Sequence, residues 1–368
     1  MSALKPTPAT AGSGGPSGSG GDARSERIYA AYARPAWQRW LFTRETAVIA
    51  LLVGVLVWAN VEVPNFDGPL TLYYLFLDLM PILLIALPMT LIIITGEIDL
   101  SVASTVVLTS AMTGVLCIDL GWSFGAAALA AIALGAVAGA FNGFLVGYVG
   151  LPSLAVTIGT LALYRGIAVG LLGTEAKTGF PDEWTDRVKE RIGESSYPQV
   201  LIVFGVLAVL FVLLLHFSSF GRGVYEIGLN DEAARFSGVD VARTKLLLFV
   251  LAGAVSGLAG VYYTLRYDLA RGDSASGLEL QVIAAVLLGG VSIFGGRGAL
   301  HGVVAGVLLI GVITSAMRLQ GETENVTTIV IGLLLVASVV TPSLLAWASG
   351  RLPSRGRGKS GPGRSDPA

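Results

Sequence analysis

The chain has 368 residues, 54% of them hydrophobic and 13% charged, with a mean hydropathy of +0.73; an ordinary soluble domain carries roughly 25% charged residues. So little charge cannot clothe a water-soluble enzyme of this size, and a net charge of −1 leaves no basic face for nucleic acid. One cysteine, Cys117, and two isolated histidines, His216 and His301, exclude an internal disulfide and a Cys- or His-rich metal site.

From the N-terminus, residues 1–26 are rich in Gly, Ser, Pro, Ala and Thr without apolar periodicity, which predicts a disordered tail reaching to about residue 44. No apolar stretch closely follows the N-terminal charge, so the run starting near Ala47 is expected to be an uncleaved first span. Runs of about 20 apolar residues predict spans at 46–63, 70–94, 102–118, 123–149, 153–172, 199–217, 246–265, 280–294, 300–317 and 326–347, hence an all-α membrane domain over 45–348. The count is ten, plus or minus two. The eighth run is short and the third is interrupted at its start by Glu97 and Asp99, which leaves each open to being a half-span or re-entrant piece.

With the N-terminus inside, alternate connecting segments carry 16 Lys+Arg on the inner side and 7 on the outer, Arg165 lying within a span. That bias predicts both termini, including a tail at 349–368, on the cytoplasmic side of the membrane. Segment 173–198, acidic and containing Pro181 and Pro198, reads as an external cap with short helical stretches. Segment 218–245 reads as a cytoplasmic knob, with a charged amphipathic helical turn at Asp231-Glu-Ala-Ala-Arg-Phe236 that ends near Gly238. Gly135, Gly139, Gly143 and Gly147 recur every fourth position and share one helix face; Gly253 and Gly257, and Gly302 and Gly306, repeat the spacing. Close, static helix packing is the expected use of most of them.

Polar groups inside apolar runs carry the functional information, because each is costly at membrane depth. Asp99 and Ser101, beside Glu97, either cap the next helix or belong to a solute pathway. Asn142, Thr157 and Thr160 suit an uncharged polyhydroxy solute, or else they hydrogen-bond between helices. Arg165 either snorkels outward or pairs with an acid such as Asp99 or Glu175. Catalytic signatures are missing: Gly358-Lys-Ser360 imitates the end of a phosphate loop, but Pro353 stands where its first glycine belongs. Any energy from ATP must therefore come from another chain.

Four blocks, in order over about residues 80–340, carry a resemblance. They are Thr95-Gly-Glu-Ile-Asp-Leu-Ser-Val-Ala-Ser104; Phe141-Asn-Gly143 through Thr157-Ile-Gly-Thr160 to Tyr164-Arg-Gly166; Gly221-Arg-Gly223 through Gly228-Leu-Asn-Asp-Glu-Ala-Ala-Arg-Phe-Ser-Gly238; and Gly277-Leu-Glu-Leu280 through Ala284-Ala-Val-Leu-Leu-Gly-Gly290 to Gly295-Gly-Arg-Gly298. The chain resembles the permease subunits of bacterial ATP-binding-cassette sugar importers, the branch with the ribose, xylose, arabinose, galactose, rhamnose and autoinducer-2 systems.

The resemblance implies a type II importer-like permease that catalyses nothing and binds no cofactor. It would pair with a second permease chain, the same or different, and with cytoplasmic ATPase subunits that hold ATP and Mg, and would receive solute from a periplasmic or lipid-anchored sugar-binding protein. It further implies that Asn230, Glu232, Ala233, Ala234, Arg235 and Gly238 form the segment that couples to the ATPase, and that alternating access moves solute past Asp99, Ser101, Asn142, Thr157, Thr160 and Arg165. Glu97 and Ala103 depart from the commonest family pattern, while Val291-Ser-Ile-Phe-Gly-Gly296 leans toward the rhamnose-type branch. The competing reading is an ion-coupled secondary transporter or channel, with Asp99 and Arg165 as its coupling pair.

Overall fold

A computed structural model describes residues 44–173 and 175–348. The expected tail up to residue 43, the tail at 349–368 and the Gly358–Ser360 triplet lie outside the described residues. In chain order the helices are α1 (Arg44–Glu62), α2 (Pro69–Ile94), α3 (Val102–Gly114, continued by a π turn Val115–Asp119), α4 (Phe124–Gly147), α5 (Ser153–Leu172), α6 (Asp182–Lys189), α7 (Val200–Phe217), α8 (Ser219–Leu229), α9 (Asp231–Phe236), α10 (Val241–Tyr267), α11 (Leu278–Leu288), α12 (Leu300–Leu319) and α13 (Glu324–Ala348).

Among the described residues, eight helices are long and apolar enough to cross a membrane: α1 to α5, α7, α10 and α12. A shorter apolar helix, Leu278–Leu288, stands where the eighth span was expected, and α13 (Glu324–Ala348) stands where the tenth was expected. The expected run 280–294 is corrected here. Its helix stops at Leu288, because Gly289 and Gly290 follow and Gly290 turns the chain into an irregular loop up to Leu300. The third span begins at Val102, as expected, after a non-helical connection at 95–101.

Local chemistry sets the helix starts. Pro69 opens α2 where its missing N–H costs nothing. Ser218 Oγ accepts from Gly221 N (3.0 Å) at the head of α8, and Asp240 Oδ1 accepts from Arg243 N (3.0 Å) at the head of α10. Thr90, Thr105, Thr109 and Thr113 return their hydroxyls to the carbonyl four residues back, which lets α2 and α3 carry buried threonines without orphaned polar atoms.

α2 forms the centre of the bundle, with every residue from Leu79 to Ile94 buried. On the rim, α1 and α7 turn Val57, Val61, Val206, Val209 and Phe217 outward. Such faces would aggregate in water and are solvated by acyl chains in a bilayer. The four-residue glycine stripe of α4 lies against the backbone of α10: a Cβ on Gly143 would sit 2.8 Å from Leu246 Cα, and one on Gly147 would sit 2.6 Å from the Ala242 carbonyl oxygen. Gly135 faces Gly253 and Gly257 in the same way, and Gly139 faces the Phe249 carbonyl. Gly302 and Gly306 of α12 meet Gly289 and Ala285 at the end of α11. These glycines are packing surfaces, as their spacing predicted.

The segment after α5 covers the end of the bundle where α2 begins and α10 ends. Lys177 pairs with Ala270 in an isolated backbone bridge, Phe180 N donates to Asp268 Oδ1 (2.9 Å), and Tyr73 Oη donates to the Lys189 carbonyl. The α8–α9 knob sits at the opposite end, where α2 stops and α10 starts, and there Gly296 N donates to the Ile94 carbonyl (2.8 Å).

Candidate functional site

Three of the sequence-predicted polar residues converge. Asp99 Oδ1 accepts from both Ser101 N (2.9 Å) and Ser101 Oγ (2.6 Å), and Asn142 Nδ2 on α4 donates to that same Ser101 Oγ (2.8 Å). Tyr164 of α5 closes the group, donating to the Ala138 carbonyl (2.9 Å) and approaching Asn142 Oδ1 (3.4 Å). All four side chains are buried. Within the connection between the two spans, burial pushes the Asp99 carboxyl up to about 6, against the opposing pull of the bonds from Ser101.

The other predicted residues do different work. Thr157 Oγ1 donates to the Ile98 carbonyl (3.3 Å) and Ser153 Oγ accepts from Ile98 N (3.1 Å), so α5 pins the connection at 95–101 by its backbone. Thr160 spends its hydroxyl on its own helix, at the Val156 carbonyl (3.1 Å). Arg165 corrects the expectation of an acidic partner. Its Nη1 donates to the Gly272 and Ser274 carbonyls (3.4 and 3.2 Å) and to Ser276 Oγ (3.2 Å), which ties the loop after α10 to α5. Asp99 and Arg165 therefore form no pair, and the ion-coupled reading loses the contact it was built on.

In the knob, Asn230 Oδ1 accepts from Ala233 N (2.8 Å) and so caps α9. Ala234 faces inward onto Ile227 and Val241, whereas Glu232, Ala233 and Arg235 are exposed. Phe236 is 87% exposed, and Leu229 at 70% and Phe294 at 90% stand at the same end of the bundle. Gly238 has φ +93, a left-handed turn that a side chain would strain, and this turn sends the chain on into α10.

Two ionic clusters escaped the sequence reading. Lys245 Nζ lies 2.6 Å from both Glu97 Oε1 and Asp231 Oδ2, joining the 95–101 connection to the first residue of α9. At the far end of the bundle Asp78 holds two arginines, Oδ1 to Arg266 Nη2 and Oδ2 to Arg318 Nη1, both at 3.0 Å. The signal for Asp78 was present, since it is the single charge in the run 70–94, and the same cost argument that picked out Asp99 applied to it. Lys245 and Arg266 sit at the two ends of an apolar run, where ordinary anchoring explains a cation equally well. Near the covered end, the bond from Lys177 to Asp119 (2.9 Å) raises the lysine's affinity for its proton.

Compared with known proteins, residues 71–339 match the family described as branched-chain amino acid transport system / permease component. Similar curated proteins include three named autoinducer 2 import system permease protein LsrD. The one from Yersinia enterocolitica is 33% identical over 319 residues, covering 85% of this chain and 93% of that protein. The one from Klebsiella pneumoniae is 33% identical over 306 residues, 82% and 91%. The one from Salmonella typhimurium is 31% identical over 328 residues, 86% and 97%. No solved structure matches the chain significantly.

Proposed function

The chain belongs to the branched-chain amino acid transport system / permease component family, and on that premise we propose that it is the membrane subunit of an ATP-driven importer for a small polyhydroxy solute. The observation that carries the reading is α9. A six-residue helix keeps one residue, Ala234, in the core and presents Glu232, Ala233, Arg235 and Phe236 to the outside. A phenylalanine 87% exposed beside Arg235 and one turn from Glu232 suits a docking surface for a protein. The lysine and arginine bias of the connecting segments supports a knob in the cytoplasm, with both termini, where an ATPase subunit holding ATP and Mg would meet it.

In this reading ATP-driven closure of the ATPase pair pushes on α9. Lys245 passes that displacement to Glu97, and so to the 95–101 connection that Ser153 and Thr157 grip from α5. Asp99, Ser101 and Asn142 shape the path by bracing α3 against α4, and Arg165 does so by holding the outer loop at 272–276. A second permease chain and an external binding protein complete the assembly in the inner membrane. The relatives are named for autoinducer 2, which favours that solute over the lean to the rhamnose-type branch.

The test is purification of the tagged chain from its own membrane, followed by reconstitution with the proteins that accompany it. The reading expects a co-purifying ATPase and ATP-dependent uptake of autoinducer 2 or a related sugar. Uptake by the chain alone, without ATP and sensitive to an ion gradient, would overturn it.

A further inference from the structure

The end of the bundle opposite the knob contains a cavity of about 760 Å³ between α2, α10, α12 and the first turns of α11 and α13. That volume lies within the roughly 300–1,000 Å³ usual for small-molecule sites. Lys245 and Arg266 stand near the two ends of α10, so at the helical rise the cavity is about 30 Å from the cytoplasmic knob, a full hydrocarbon thickness. None of the polar residues singled out in the sequence lines it.

Its walls have a particular chemistry. Asp78 and Glu322 supply two negative charges, and Arg266 and Arg318 supply two positive ones. The near balance selects against an ion, because an ionic solute would leave its charge uncompensated on entering. Gln281, Thr314 and Ser315 add neutral donors and acceptors, and Tyr74 and Tyr267 add ring faces. Arg266 is held by Asp78 and lies over both of those rings, 5.6 and 5.3 Å from their centroids. Its Nε is buried away from the cavity and has no acceptor among the described residues.

We propose that this cavity is an outward-facing subsite in which the permease chain itself holds an uncharged polyhydroxy solute after its release from the binding protein. The inference rests on the importer reading for its orientation and its solute. The hydroxyls of the solute exchange hydrogen bonds with Gln281, Thr314 and Ser315, while Asp78 keeps the Arg266 guanidinium in place in the wall.

The test uses the assembled transporter in membrane vesicles, with Cys117→Ser as background and either Thr314→Cys or Gln281→Cys added. A membrane-impermeant maleimide is applied from the binding-protein side, with autoinducer 2, rhamnose or ribose as the probe. Both cysteines are expected to react, and the probe that the vesicles take up is expected to slow the reaction several-fold. The same probe should leave Glu194→Cys, exposed on the outer segment, at its unprotected rate. If ATP-dependent uptake of a probe persists while neither cavity cysteine is protected by it, the subsite is overturned and the importer reading stands. If no probe is taken up with ATP, both fall together.

Discussion

Lys245 Nζ is shared between Glu97 Oε1 and Asp231 Oδ2, 2.6 Å from each, so one ammonium fastens the start of α10 to both the 95–101 connection and α9. The lysine side chain is only 9% exposed and Asp231 is 42% exposed, which makes the node partly buried. Lys245→Met leaves both carboxylates without their cation and is expected to cost about 2–3 kcal/mol, below the roughly 3–5 kcal/mol of a fully buried pair because Asp231 faces solvent. Thermal unfolding of the detergent-purified protein measures it. Adding Glu97→Gln should restore part of the loss; strictly additive losses would show that the two groups do not interact.

Gly139 tests the helix packing. A Cβ there meets the Phe249 carbonyl, so Gly139→Ala must push α4 away from α10 and is expected to destabilise by about 1–3 kcal/mol. Gly159 and Gly166 on α5 have open space around the Cβ direction, and alanine at either should be neutral or stabilising by up to about 1 kcal/mol. Melting temperatures of the three variants in one detergent decide the matter, and equal behaviour would refute the stripe as a packing surface.

Phe236 and Ala234, two residues apart on α9, should behave oppositely. Phe236→Asp is expected to change stability by less than about 0.5 kcal/mol, as for other exposed sites, while lowering capture of the proposed ATPase partner about tenfold or more. Ala234→Asp buries a charge against Ile227 and Val241, so it should unfold the knob before any question of docking arises. Thermal unfolding and pull-down yield, measured side by side, separate the two effects.

Asp99 makes stability depend on pH with a defined sign. The folded chain holds this proton more tightly than the unfolded one, so the Asp99 contribution falls as pH rises from about 4, the ordinary aspartate range, through about 6. Asp99→Asn keeps an oxygen for the two Ser101 donors and cannot ionise, so it should flatten that part of the profile. Melting temperature against pH for the two proteins checks it; parallel curves would mean that Asp99 stays ionised throughout.

Membrane residence, the number and order of apolar helices, the glycine stripe and the short helical turn at Asp231–Phe236 were all legible in the amino-acid order. Each depends on local periodicity or on neighbours within a few residues, such as Asn230 Oδ1 reaching Ala233 N. The early stop of α11 was half visible, as a short run whose end Gly289 and Gly290 set. Partnerships across the bundle were not legible. Arg165 chose backbone carbonyls more than a hundred residues away over the acids its charge suggested, and Lys245 found Glu97 148 positions earlier. Asp78 likewise drew Arg266 and Arg318 from two later helices, and a cavity opens beside them. Composition and spacing tell which groups must be satisfied inside a membrane protein. Which group satisfies which is decided only when helices distant in sequence are brought side by side, because a hydrogen bond or ion pair is won within about 3 Å in space whatever the separation along the chain.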